Sequence, residues 1–164
     1  MGKNSGNQIR NKMIQSFPKT DCEKLGGLET FLHETYPDWD VKLEHFMLFT
    51  KGEDEFVGIF DVLDEEQVNT HVVHPPDFWI ELPDGRSIVL ELDGAIHDIK
   101  TMKTSERNRR FELNNLDYHV VNEADLKMKL GVKKSNPLSQ DQINQAFKEK
   151  LDSYVQNLNI SPRL

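Results

Sequence analysis

The chain has 164 residues, a formal net charge of −8, 29% charged residues and a single cysteine. That length supports one domain with tails and one real core. The acidic balance argues against a partner gripped over the whole surface through phosphates, which calls for a basic protein. The lone cysteine excludes an internal disulfide and a cysteine-rich zinc site. No apolar run reaches the ~18–20 residues of a membrane span, and the N-terminus lacks the apolar core of a signal peptide, so a cytoplasmic protein is expected. Two basic groups run against the average: Lys100, Lys103, Arg107, Arg109 and Arg110, then Lys127, Lys129, Lys133 and Lys134.

Residues 1–20 are polar and aperiodic, and read as a flexible arm. Leu25, Leu28, Phe31 and Leu32 share one side of a helix over Cys22 to Tyr36, weakened early by Gly26 and Gly27 and ended by Pro37. Val41 to Thr50 and Glu55 to Val62 read as two strands around a polar turn. Asp64-Glu65-Glu66 reads as a loop, and Val68 to Val73 as a short strand. Pro75-Pro76 then imposes an extended entry. A helix is predicted over Ser105 to Asn115 with Ser105 as its cap, followed by a strand over Tyr118 to Asn122 that joins the preceding sheet through a crossover. A short helical turn follows. Residues 131–164 are a linker and an amphipathic helix: Ser139 and Gln142 form a capping box, and Ile143, Phe147, Leu151, Val155 and Leu158 form its stripe. That stripe packs on the core (residues 21–130) or against a second copy.

Between these elements lies the most informative stretch. Asp77 to Leu82 and Arg86 to Asp93 flank Pro83-Asp84-Gly85, whose residue types suit a type I turn followed by a left-handed glycine. With Leu82 opposite Arg86, the register pairs Ile80 with Ile88, Phe78 with Leu90 and Asp77 with Glu91. Alternation then puts Phe78, Ile80, Ile88, Leu90 and Leu92 on one face and Asp77, Glu91 and Asp93 on the other. Facing carboxylates about 4.5–5.5 Å apart at Cβ repel one another. A hard divalent cation would reverse the sign of that interaction, whereas a solvated edge hairpin would tolerate it.

Asp77, then Glu91-Leu92-Asp93-Gly94, then His97, then a helix carrying Glu106 and Arg109, then a strand centred on Tyr118, resembles the PD-(D/E)xK nuclease superfamily. More narrowly it is similar to very-short-patch repair endonucleases and related small domain-of-unknown-function nucleases. The resemblance covers Asp77 to Val121 and implies an α/β fold: a restriction-endonuclease-like core with a central mixed four- to five-stranded sheet flanked by helices. It also implies Mg²⁺ or Mn²⁺ held by Asp77 and Glu91, with the Leu92 carbonyl and Glu29 of the first helix as further ligands. Asp93 stands where the superfamily has lysine, and His97 would take over as general base near neutral pH. Lys100 or Lys103 would supply the missing positive charge, and Arg107, Arg109 or Arg110 would hold phosphate oxygens. The plain alternatives are a loop-capping or core role for His97, a structural ion pair for Arg109, and a surface-strand position for Trp79.

The function implied is metal-dependent endonucleolytic hydrolysis of DNA in repair, restriction or a mobile element. The competing readings are a weak or inactive nuclease-fold module that binds nucleic acid or a protein, and an RNA-directed nuclease. A homodimer would let so small a domain cut both strands.

Overall fold

Pro83, Asp84 and Gly85 form the expected turn. The Leu82 N–H donates to the Arg86 carbonyl at 2.8 Å, the Gly85 N–H donates to the Leu82 carbonyl at 3.0 Å, and Gly85 sits at φ 90°. The computed structural model describes residues 4–5, 19–94 and 101–160, with side chains over 23–94 and 104–158. Among these, the strands are β1 (Asn4–Ser5), β2 (Asp40–Lys42), β3 (Phe46–Thr50), β4 (Phe56–Phe60), β5 (Val62–Leu63), β6 (His71–His74), β7 (Phe78–Glu81), β8 (Ser87–Asp93) and β9 (Asp117–Asn122). The helices are α1 (Lys19–Thr35), α2 (Glu65–Thr70), α3 (Thr101–Leu113), α4 (Glu123–Leu130) and α5 (Gln140–Ile160).

The chain is α/β. A mixed four-stranded sheet runs β2-β7-β8-β9, a separate antiparallel sheet runs β4-β3-β6, and β1 pairs with β5. In the hairpin Phe78 pairs with Leu90 and Ile80 with Ile88, as the turn dictated. β9 lies parallel to β8, reached through α3, which is the expected crossover. Phe78, Ile80, Ile88, Leu90 and Leu92 face α1 and α5, packing with Leu28, Leu32, Ile143, Phe147 and Leu151. Ile143, Phe147 and Leu151 of the α5 stripe are thereby buried in the core. Its start is the predicted capping box: the Gln142 N–H donates to Ser139 Oγ, and the Ser139 N–H to Gln142 Oε1.

The opposite face of this sheet is buried too, and several expectations change for that reason. Trp79 is no surface aromatic. It is 5% exposed in a second core with Met47, Phe49, Val89 and Phe111. Val41 to Thr50 is not one strand. Glu44 takes a left-handed φ of 56° and carries the chain from β2 in one sheet to β3 in the other, a break hidden because the alternation of Val41, Leu43, Met47 and Phe49 continues across it. Val68 belongs to α2. Asp64 caps that helix and Gln67 reciprocates, so a capping box stands where a loop and strand were expected. α3 begins at Thr101, so Ser105 lies inside it rather than at its cap. It ends two residues before a left-handed Asn115, φ 54°. Of the N-terminal arm, β1 is described and Lys19 and Thr20 already belong to α1; residues 1–3 and 6–18 lie outside the described residues.

Gly26 and Gly27 differ in purpose. A Cβ on Gly27 would lie 2.3 Å from Gln140 Cδ, whereas nothing lies within 4 Å of one on Gly26. Gln140 is pinned there by its amide, which donates to the Lys24 carbonyl at 3.0 Å. Gly26→Ala should stabilise the fold by about 0.5–1 kcal/mol through helix propensity. Gly27→Ala should lower the urea midpoint instead, and equal shifts in the two variants would disprove a close approach of α1 and α5.

Candidate functional site at the carboxyl ends of the parallel strands

β8 and β9 run parallel and end together at Asp93 and Asn122, while the start of α3 stands over them. β7 runs the other way, so its entry residue Asp77 arrives beside Glu91 and Leu92. The Leu92 N–H donates to Asp77 Oδ2 at 2.7 Å, and the Asp77 N–H donates to Glu91 Oε1 at 3.1 Å. Asp77, Glu91 and Asp93 thus meet at one end of the sheet, the convergence the hairpin register predicts. Glu91 is 4% exposed and Asp93 2%. Burying carboxylates this deeply requires hydrogen-bond donors and positive charge.

Arg107 supplies both. Its Nη1 donates to Asp93 Oδ1 at 2.8 Å and to Glu91 Oε2 at 3.2 Å, and its Nη2 donates to Asp93 Oδ2 at 3.0 Å. The fork on Asp93 is bidentate, the strongest form of such a pair. Burial works against the guanidinium's charge. The hydrogen bond to Asp93 and the fields of Glu91, Asp93 and Asp77 outweigh it, and hold the arginine's pKa above its ordinary value. His74, at the end of β6, completes the cluster with Nε2 3.2 Å from Glu91 Oε1 and its ring edge-on to Phe111.

The basic residues of α3 are therefore placed differently from expectation. Arg107 is turned inward onto carboxylates, and is not presented to phosphate. Arg109 and Arg110 both reach Asp54, at 2.5 and 3.1 Å, so the structural pairing of Arg109 is the one observed. Arg110 also approaches Glu106 at 4.0 Å. Arg109 remains over half exposed. Glu29 lies on α1, whose Leu28 and Leu32 pack on the Leu90 face of the sheet, and its carboxylate sits 3.6 Å from His33. The structure does not bring it to the Glu91 cluster. His97 and Lys100 lie outside the described residues, as does the side chain of Lys103.

Asp54 is the anchor of the second sheet on α3. It sits in the β3–β4 turn at φ 57°, and Asn114 fastens the same turn by donating to the Asp54 carbonyl and accepting from the Phe56 N–H. Hydrogen bonds from Arg109 and then Arg110 hold the Asp54 carboxyl below its ordinary pKa. A depressed carboxylate pKa stabilises the fold above the unfolded-state value near ~3.9, and that contribution is lost as pH falls through the folded pKa. Asp54→Asn should cost about 1–3 kcal/mol at neutral pH. The gap between its urea midpoint and that of the wild type should shrink as the buffer is acidified, and a gap independent of pH would refute the ion pairing.

Sequence reasoning missed His74 and Arg107 as members of the cluster. Arg107 precedes Phe111 by four residues, so the one deeply buried aromatic of α3 dictates that Arg107 faces the sheet as well. His74 carried a weaker signal, as the last residue of a strand before a Pro-Pro entry to Asp77.

The donor set fits a hard divalent cation in kind. Oxygen ligands of this kind suit Mg²⁺ and Mn²⁺. Among the described residues, however, no group of three or more His, Cys, Asp or Glu side chains is already arranged around a metal position. Arg107 Nη1 already bonds both Glu91 and Asp93.

No family model matches this chain, and neither the curated proteins nor the solved structures contain a match to it. Among the described residues, no helix is long and apolar enough to cross a membrane.

Proposed function

We propose that the chain is a metal-dependent nuclease built on a restriction-endonuclease-like core, acting on phosphodiester bonds in DNA. The observation that carries this reading is the meeting of Asp77, Glu91 and Asp93 at the end of β8, two of them almost fully buried. Carboxylates gathered and desolvated in this way cost stability unless donors or a cation hold them. Asp77 and Glu91 would hold the cation, with the Leu92 carbonyl beside them. When bound, Mg²⁺ or Mn²⁺ supplies Lewis acidity that acidifies water and offsets charge on the scissile phosphate. His97 takes the water's proton. Arg107 bonds Glu91 and Asp93 and fixes them in direction, bringing the positive charge that a lysine at position 93 would have brought. Lys100 and Lys103 remain candidates for phosphate contact, as does the exposed Arg109.

A specific observation favours one alternative. Arg107 already bonds both Glu91 and Asp93, so the same cluster would serve a catalytically silent module in which arginine replaces the cation.

One experiment separates the two. Cleavage of single-stranded, duplex, mismatched and branched DNA, and of RNA, would be followed with Mg²⁺, Mn²⁺ or EDTA, comparing wild type, Asp77→Asn and Glu91→Gln. The nuclease reading expects metal-dependent cleavage that falls to background in both variants while their far-UV dichroism stays native. Intact substrates throughout, with oligonucleotide binding retained, would establish the silent module.

A further inference from the structure

Beside the carboxylate cluster lies a cleft of about 780 Å³, and the residues on its walls include Asp93, Asn108, His119, Asn122, Lys150 and Tyr154. It is lined by four consecutive residues of β9, from His119 to Asn122. Successive side chains of a strand point to opposite faces, so a cleft that touches all four follows the strand's edge. β9 is the last strand of its sheet. The cleft therefore runs along an open sheet edge, toward α4 and α5, from the point where Asp93 ends β8.

Three features distinguish its walls. His119 Nε2 is buried and, among the described residues, makes no hydrogen bond. A buried polar atom left in this state ordinarily costs stability, and it asks for a partner. Tyr154 packs against it, ring centroids 5.3 Å apart at 75°, and is fixed by its hydroxyl donating to Asp117 Oδ2 at 2.7 Å. Burial and then the Lys150 charge hold His119 below its ordinary pKa, so its ring is neutral at neutral pH and offers one nitrogen as an acceptor or donor. Finally, Asp93 and Asn108 at the near end are both bonded to Arg107, so cleft and carboxylate cluster share a wall.

The volume falls within the range of small-molecule pockets, roughly 300–1,000 Å³, and it admits no duplex. An aromatic wall, side-chain amides able to read base edges and a rim lysine are the chemistry that recognises one nucleotide with its phosphate. Resting on the nuclease reading, we propose that this cleft accepts a single unpaired nucleotide of the strand being cut, its base against His119 and Tyr154 and a phosphate toward Lys150. The substrate class is then a strand that is single or locally unpaired next to the scissile bond, because a paired base cannot reach the cleft without leaving its stack.

The test uses full-length protein in EDTA, so that binding is read without cleavage. Probes are a short single-stranded oligonucleotide carrying a fluorescent adenine analogue and the same sequence as a duplex. The single strand should bind more tightly and change the analogue's emission. His119→Gln and Lys150→Glu should each weaken it by roughly tenfold. Lys150 is exposed, so that variant should keep the wild-type thermal midpoint and guards against a folding artefact. Wild-type affinity in both variants, or duplex preferred over single strand, would overturn the pocket even if metal-dependent cleavage by the native chain stands. Failure of the native chain to bind or cut any oligonucleotide would remove both readings together.

Discussion

Arg107→Met should lower the unfolding free energy by about 3–5 kcal/mol, because it takes from buried Glu91 and Asp93 the guanidinium that bonds both. A domain of this size has about 5–15 kcal/mol in total, so the loss should be plain in urea unfolding monitored by Trp fluorescence. Methionine keeps much of the side chain's bulk, and the effect would report charge rather than a hole. Two controls sharpen it. The double variant Asp93→Asn/Arg107→Met should be less destabilised than the sum of its single variants, since both act on one bidentate pair. Millimolar Mn²⁺ should return part of the lost stability to Arg107→Met if the carboxylates take a cation, because a ligand that binds only the folded chain stabilises it by mass action. An unchanged midpoint in Arg107→Met would show that the cluster is not the charge-balanced unit described here.

Phe111→Ala should cost a similar amount, about 3–5 kcal/mol, for a different reason. Phe111 is fully buried between the two sheets, with ring centroids 5.2 Å from Tyr118, 6.5 Å from Phe49 and 5.7 Å from His74. Its removal leaves a cavity beneath His74 and loosens α3 where Arg107 and Arg110 make their ion pairs. Phe111→Leu should cost much less, since most of the volume is kept. Cleavage activity, where present, should fall with Phe111→Ala even at temperatures at which the variant stays folded. A variant as stable as wild type would mean that α3 is held by its ion pairs alone.

What links these two residues is their spacing in α3. Phe111 and Arg107 are four apart on a mostly polar helix, and Phe111 is its buried aromatic, so that face had to meet the sheet. The acidic side of the site was easier to read. Pro83-Asp84-Gly85 admits essentially one hairpin register, and that register brings Asp77 to Glu91. The partner of those carboxylates was not readable from register, because it lies on α3, fourteen residues beyond Asp93.

The residues by themselves determined the local features: the hairpin and its face of Phe78, Ile80, Ile88, Leu90 and Leu92, the capped α5 with its stripe, and the crossover from β8 to β9. Each rests on turn chemistry, capping or a strict period, all of which act within a few residues. Only the tertiary structure decided the rest. It split Val41 to Thr50 between two sheets at a left-handed Glu44, because period-two alternation is indifferent to which sheet a strand enters. It buried Trp79 by laying the β4-β3-β6 sheet over the face that the hairpin pattern left for solvent. It also turned Arg107 inward, since a buried carboxylate pair recruits the nearest cation that can be desolvated with it, whatever its distance along the chain.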